Sequence, residues 1–291
     1  MQLSYLIVGL AAICNIVSAF QMGGMSRRSY TLRSSVDDKA EVTEYFNNDG
    51  FSRWNKIYSE AGEVNKVQLD IRTGHQQTID KVLNWMSDEN NKAKSVCDAG
   101  CGVGSLALPM SKLYKKVSAS DISSSMTKEA AARAKLAKLN NLDFKVADME
   151  TLGGKYNTVT CIDVMIHYPT DKVRQFARDP SPSSNWYNRR ITSILPFLPS
   201  HDIKQMYGIV GKLGALATDR LILSFAPKNF YYSTLKKVGE LFPGKSKTTR
   251  AYLHPEEDVV KALKQAGFSI KRKEMTSTNF YYSRLLEATR D

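Results

Sequence analysis

The sequence predicts an α/β fold built on an open, mostly parallel sheet, and three observations carry this. The strand candidate Ser95–Asp98 runs into the glycine turn Ala99-Gly100-Cys101-Gly102-Val103-Gly104 and then into a helix near Leu106. Two further strand candidates follow, Lys116–Asp121, which ends on an acid, and Leu142–Ala147, which runs into Asp148-Met149-Glu150. Between them, Met126–Leu139 is rich in Ala, Lys and Leu, all strong helix formers. The length of 291 residues suits one catalytic domain of about 200–230 residues with appendages. Hydrophobic residues at 42% and charged residues at 24% exclude a wholly disordered or collagen-like chain. The net charge, 41 − 29 = +12, is compatible with nucleic acid, an anionic membrane or a polycarboxylate ligand, and selects none of them. Four cysteines (Cys14, Cys97, Cys101, Cys161) do not make a disulfide framework in a chain this long, and no pair has structural-zinc spacing. No metal site made by the protein is expected.

The first segment reads as an address. Leu3–Val17 is an uncharged, largely apolar run of 15 residues, shorter than the roughly 20 a membrane span needs. Small residues follow at Val17-Ser18-Ala19, and Gln21–Ser35 then carries Arg27, Arg28, Arg33, several serines and no acid. A signal core, Phe20 and a basic, Ser-rich stretch together resemble the two-part plastid presequence of diatoms and related algae. A plain secreted protein or a non-cleaved anchor is the alternative, and the charged start of a signal is missing. The expected organisation is a presequence over 1–35, cap helices over 36–90 and an α/β core over 91–226. A lid or substrate-binding insertion over 227–252 and the rest of the core over 253–291 follow.

The glycine turn selects between ligand classes. Glycines let the backbone bend sharply and let a ligand approach without a Cβ in the way. Ser105 can cap the following helix, and Pro109 falls in its first turn. Dinucleotide sites want G-x-G-x-x-G against a pyrophosphate. Here the pattern is G-x-G-x-G preceded by Asp98, an acid that would repel pyrophosphate but could pair with the amino group of a methionine moiety. The pattern Asp98-x-Gly100-x-Gly102-x-Gly104 resembles motif I of class I S-adenosylmethionine (SAM) methyltransferases. That resemblance implies a Rossmann-like sheet of seven strands, the last pair antiparallel, with SAM as cofactor. Asp121, 17 residues after Gly104, stands where an acid takes the ribose hydroxyls, and Asp148-Met149 where the adenine is bordered. Asp98, Gly100, Cys101, Gly102, Gly104, Asp121, Ile122, Asp148, Met149 and Asp163 form the expected cofactor set.

The fourth strand candidate, Tyr156–Val164, leads into Met165-Ile166-His167-Tyr168-Pro169. Ligands gather beyond the carboxyl ends of strands in such sheets, so His167 and Tyr168 belong near the reacting group. No N-P-P-Y type motif for nitrogen acceptors stands here, which favours an oxygen or carbon acceptor. From 37 onward the chain is similar to the magnesium-protoporphyrin IX O-methyltransferase family. The stretches that carry this are Glu44-Tyr45-Phe46, Gly50–Trp54, Ile57-Tyr58, Val67–His75, Cys97–Gly104, Ile166–Pro169, Leu221–Lys228, Glu240–Gly244, Lys247–Tyr252 and Phe280–Arg284. The resemblance implies methyl transfer from SAM to the ring C propionate of magnesium-protoporphyrin IX, in chlorophyll biosynthesis in a plastid. It implies Tyr58 and His167 as the catalytic pair, with axial ligation of the porphyrin magnesium as an alternative role for His167. Contact with magnesium chelatase comes from the family alone; peripheral attachment to thylakoid or envelope fits the poorly soluble substrate and the positive charge.

Glu41–Thr73 has helical spacing and reads as two cap helices over the cofactor mouth. Arg53 and Trp54 offer a cation and an aromatic face to a flat dianionic macrocycle. After the fifth strand (Arg220–Phe225), the stretch from Pro227 to Tyr252 interleaves basic residues with tyrosines. Lys228 and Arg250 are its candidates for the substrate carboxylates, Arg250 as a bidentate clamp. Phe268–Met275 and Phe280–Ala288 read as the closing strand pair. The stretch 174–203 exceeds the family pattern by about 30 residues and is dense in Pro and Ser, which disfavours helix and strand. It reads as a surface loop, a partner-docking segment or an unremoved intron. Two other functions compete: an RNA methyltransferase, recognisable by a continuous basic face, and a non-catalytic porphyrin-delivering scaffold. Binding of nucleic acid is not expected.

Overall fold

A computed structural model describes residues 35–59, 63–87, 93–167, 203–228 and 252–291. The presequence reading, Tyr168, Arg250, nearly all of the 174–203 stretch and most of 227–252 lie outside them. Three helices precede the sheet, where Glu41–Thr73 had been expected to give two: α1 (Ser35–Asn47), α2 (Asp49–Ile57) and α3 (Lys66–Ser87). α3 starts from a reciprocal cap. Asn65 Oδ1 accepts from the Gln68 N–H at 2.9 Å, and Gln68 Oε1 accepts from the Asn65 N–H at 3.2 Å.

β1 (Ser95–Ala99) is buried along its last four residues. After the glycine turn come the single-turn α4 (Ala107–Met110), β2 (Lys116–Asp121) and α5 (Ser124–Leu136). Ser105 does not cap α4, which has no side-chain cap. Instead Ser123 caps α5, accepting from the Met126 N–H, so that helix starts two residues before the expected Met126. β3 (Leu142–Val146), β4 (Tyr156–Cys161), a 3-10 turn (Met165–His167), α6 (Ile203–Leu216) and β5 (Ala217–Phe225) follow. α7 (Glu256–Gln265), β6 (Phe268–Ser277) and β7 (Tyr282–Arg290) complete the chain. The strand order is β3-β2-β1-β4-β5-β7-β6, with β1 to β5 parallel and β7 antiparallel to both neighbours. The expected seven-stranded sheet with an antiparallel closing pair is what forms.

β4 stops three residues before the expected Val164. Asp163 has φ +59°, a left-handed conformation that ends the strand and turns the chain. The sheet is covered on both faces. Val210, Leu213, Val259 and Leu263 of α6 and α7 pack on one side. Ile79, Val82 and Met86 of α3, with Met110 of α4, pack on the other. Glu287, 0% exposed inside the sheet, is paired: it lies 3.3 Å from Arg220 and 3.1 Å from Arg272. The order reverses between β1 and β4, which opens a crevice at their carboxyl ends.

Candidate active site

The glycine turn lies in that crevice. The N–H groups of Gly100 and Cys101 donate to Ser120 O at 2.7 and 2.9 Å, tying the turn to β2. The Gly102 N–H donates to Asp121 Oδ2 at 2.9 Å, and the Ser123 N–H to Asp121 Oδ1 at 2.9 Å. Gly102 and Gly104 have φ of +52° and +87°. A Cβ on Gly102 would meet nothing within 4 Å, whereas one on Gly104 would collide with Leu108. The first glycine therefore leaves room for a ligand; the second lets the turn pack on its own helix. Asp98 is 2% exposed and accepts from Thr160 Oγ1 at 2.8 Å. Burial, then the neighbouring Asp121 charge, raise its carboxyl to about 7 against the Thr160 hydrogen bond. The Cys97 thiol is pushed by burial up to about 12, which keeps it neutral. Cys101 is buried in the turn. Ile122 follows Asp121 directly, and Asp148 Oδ1 turns the chain by accepting from the Glu150 N–H at 3.0 Å. The Met149 side chain belongs to the core.

Asp163 had been read as a cofactor contact. Its carboxylate accepts four hydrogen bonds from the protein. Oδ2 accepts from His75 Nδ1 at 2.8 Å and the Tyr281 hydroxyl at 2.7 Å; Oδ1 accepts from Ser224 at 3.0 Å and Ser283 at 3.1 Å. These bonds, His75 foremost among them, outweigh the desolvation that opposes ionisation, so its pKa is lowered. Around this carboxylate the aromatic residues of the cap assemble. Tyr58 stacks on His75 with ring centroids 4.3 Å apart, and Trp54 stacks on Tyr58 at 5.5 Å. Phe46 meets His167 edge-on at 5.1 Å. Burial and the Asp163 charge raise the Tyr58 hydroxyl far above the usual phenol range. Burial lowers His167 to about 4. Tyr58 is thus a permanent donor and His167 a neutral imidazole at pH 7–8. Among the described residues, His167 Nδ1, His75 Nε2 and Trp54 Nε1 are buried without hydrogen-bond partners.

Bracing bonds fix these side chains. Arg72 on α3 donates to the carbonyls of Ile57 and Lys56, immediately before Tyr58. His254 Nε2 lies 3.1 Å from Met165 O, and the Tyr252 N–H donates to Ile166 O at 2.9 Å, so both hold the turn that carries His167. The Asn47 side chain accepts from the Ser123 hydroxyl at 2.9 Å, pinning α1 beside Asp121. Arg53 is exposed, 5.8 Å from the Trp54 ring centroid, and Lys228 is exposed where the chain leaves β5. His75, Tyr281, Ser224, Ser283, Arg72 and His254 were given no role by the sequence reading.

Gly74 makes the Tyr281 contact possible: a Cβ there would collide with the Tyr281 ring. Gly74→Ala should displace Tyr281 from Asp163 and destabilise the protein by about 1–3 kcal/mol. A thermal melt within one degree of wild type would refute that contact.

Comparison with known proteins follows the same lines. The chain is 47% identical over 260 residues to the magnesium-protoporphyrin O-methyltransferase of Synechocystis, covering 88% of this chain and 98% of that protein. It belongs to the magnesium-protoporphyrin methyltransferase family. The family model described as magnesium-protoporphyrin IX methyltransferase C-terminus matches residues 194–290, and a methyltransferase domain model matches 96–179. The chloroplastic magnesium protoporphyrin IX methyltransferase of Arabidopsis thaliana is 46% identical over 254 residues, 86% of this chain and 71% of that protein. The crystal structure of the Synechocystis magnesium protoporphyrin IX methyltransferase with bound SAH superposes with a TM-score of 0.70 at 45% identity. It covers 87% of this chain and all of that one. The fold of this family member is that of a class I SAM-dependent methyltransferase.

Proposed function

We propose that this chain transfers the methyl group of SAM to the ring C propionate of magnesium-protoporphyrin IX, giving the monomethyl ester and S-adenosylhomocysteine. The observation that carries this reading is the likeness to the Synechocystis enzyme over nearly its whole length. The site fits SAM. The space beside Gly102 admits a ligand, and Asp121 keeps lone pairs for the ribose hydroxyls beside its backbone bonds. Asp98 takes the ammonium of the methionyl tail, and Asp148 borders the adenine. SAM supplies an activated methyl: the O–CH3 bond forms as the S–CH3 bond breaks, and the electron pair stays on sulfur.

A propionate has a pKa of about 4–5 and is ionised at neutral pH. The protein therefore needs to align it more than to deprotonate it, and alignment is worth up to about 7–11 kcal/mol. His167, neutral because burial lowers it to about 4, holds the carboxylate through an N–H. Tyr58 donates its hydroxyl to the same group. The Trp54–Tyr58–His75 stack presents an aromatic shelf to the macrocycle, with Arg53, Tyr168, Lys228 and Arg250 as its polar and cationic contacts.

The name of the Arabidopsis relative supports a plastid location. We place the mature protein in the stroma, against thylakoid or envelope, in contact with magnesium chelatase. Among the described residues no helix is long and apolar enough to cross a membrane.

Offering methyl-labelled SAM with magnesium-protoporphyrin IX and RNA together tests the acceptor. Label should enter the porphyrin and not the RNA. Labelled RNA with an unmodified porphyrin would defeat the reading.

A further inference from the structure

The end of α5 departs from two local rules at once. Leu136, its last residue, is 86% exposed, more than any other large apolar side chain among the described residues. Lys138, two residues on, has φ +55°. The helix closes there in a Schellman turn: the Leu139 N–H donates to Ala134 O at 2.9 Å and the Lys138 N–H to Lys135 O at 3.1 Å. Glycine takes the left-handed position of such a turn without steric cost, and a lysine does not. An exposed leucine and a strained lysine in one turn do nothing for the fold, and departures of this kind gather at functional surfaces.

Further lysines adjoin this turn. The Asn141 amide donates to Ser111 O and Tyr114 O at 2.8 and 2.9 Å, and the Val117 N–H donates to Asn141 O at 2.9 Å. These bonds hold the segment that leaves α5 against the segment that enters β2, which carries the exposed Lys115 and Lys116. Lys135 and Lys138 are exposed as well. The acid in the adjoining strand, Asp143, lies 3.2 Å from Lys145. Lysines in a last helical turn complement the helix dipole. That accounts for Lys135, but not for Lys115, Lys116 or the exposed leucine. α5 starts just after Asp121 and runs back along the sheet, so this surface lies at the amino ends of the strands, away from the crevice.

We propose that Leu136, with Lys115, Lys116, Lys135 and Lys138 around it, is the surface by which the protein docks on an anionic lipid membrane. The leucine enters the boundary of the acyl chains and the ammonium groups lie among the headgroups. The composition favours lipid over a protein partner. Lysine is depleted at protein interfaces and leucine is under-represented among their hot spots, whereas a bilayer accepts one apolar anchor and a diffuse positive field. Docked in this way, the crevice faces away from the bilayer, and the porphyrin enters from the aqueous side. This rests on the placement of the mature protein against a membrane in the proposed function, and names the surface that makes the contact.

Lysine acetylation of the full chain, read residue by residue by mass spectrometry, tests it. The probes are vesicles of phosphatidylcholine, alone or with about one-third phosphatidylglycerol. The readout is local, so binding through residues 1–35 does not imitate it. On the anionic vesicles Lys115, Lys116, Lys135 and Lys138 should react about tenfold more slowly, while Lys261 and Lys264, exposed on α7, keep their rates. Neutral vesicles or concentrated salt should abolish the protection. Leu136→Ser should reduce it severalfold and leave methyl transfer to the porphyrin in solution unchanged. Lys138→Gly should weaken protection of the other three lysines yet raise Tm by about 1–3 °C, because the turn then has its preferred residue. Vesicle binding without protection of these lysines, or with equal protection of Lys261 and Lys264, overturns this surface and leaves the membrane placement standing. Absence of any vesicle binding overturns both. Protection by polyglutamate and not by anionic vesicles would give the surface to an acidic protein and overturn the inference.

Discussion

Replacing Asp98 by Asn should weaken SAM binding by about a hundredfold or more and, at pH 8, make the cofactor-free protein more heat-stable. Both effects have one cause. Asp98 is 2% exposed, and its carboxyl is raised to about 7, chiefly by burial. An acid whose folded pKa lies above its unfolded value of about 3.9 destabilises the fold once ionised. The penalty is absent near pH 4, grows between pH 4 and 7, and is complete at pH 8. The amide removes it and keeps a hydrogen-bonding partner for Thr160, so Tm should rise by roughly 2–6 °C at pH 8 and hardly change near pH 4. The same ionised carboxylate is what an incoming ammonium needs, and removing one member of a buried ion pair is costly. In wild type, SAM affinity should therefore rise with pH up to about 7 and then level, with proton release on binding below that. Calorimetry in buffers of different ionisation enthalpy measures that release. SAM affinity independent of pH between 6 and 8, with Asp98→Asn binding as wild type does, would remove Asp98 from the cofactor site.

Tyr58→Phe should lower kcat by about a hundredfold with little change in SAM affinity, because under the proposed function it removes a donor to the reacting carboxylate and keeps the stack on His75. His167→Leu should cost a similar factor. His167→Gln, which retains an N–H, should recover part of the rate. That partial rescue separates a holding role from a basic one. A residue with a pKa of about 4 is neutral above pH 5, so His167 should impose no acid limb on kcat between pH 6 and 9. If His167→Gln were as inactive as His167→Leu and kcat rose with a pKa near 6–7, proton removal by His167 would replace the holding role. His254, which hydrogen-bonds the carbonyl of Met165, positions this turn and stays outside the reacting atoms.

The glycine-turn end of the crevice was largely legible in the sequence because its parts are local. The turn from Asp98 to Gly104, Asp121 at the end of β2 and the α5 helix each follow from spacing and composition over a few residues. The boundaries were less so. α5 starts at Ser124 because Ser123 caps it, and β4 ends at Cys161 because Asp163 takes a left-handed turn. The Asn65–Gln68 cap was readable in the same way and went unread. The cluster around Asp163 is assembled from residues far apart in the chain. His75 and Asp163 are 88 residues apart, and Tyr281 and Asp163 118. No periodicity links such positions, and Asp163 at a strand end carries the same local signal whether it serves a cofactor or a histidine. Glu287 shows the converse. A charge in a strand candidate reads as solvated, yet here it is fully buried against Arg220.

The most direct measurement is of the porphyrin itself. Purified protein is incubated with SAM and magnesium-protoporphyrin IX, and the product is characterised by mass spectrometry and NMR. One methyl group on the ring C propionate, with one equivalent of S-adenosylhomocysteine formed, is the predicted result. Esterification of another carboxylate would contradict the regiochemistry. An unmethylated porphyrin in the presence of bound SAM would contradict the activity.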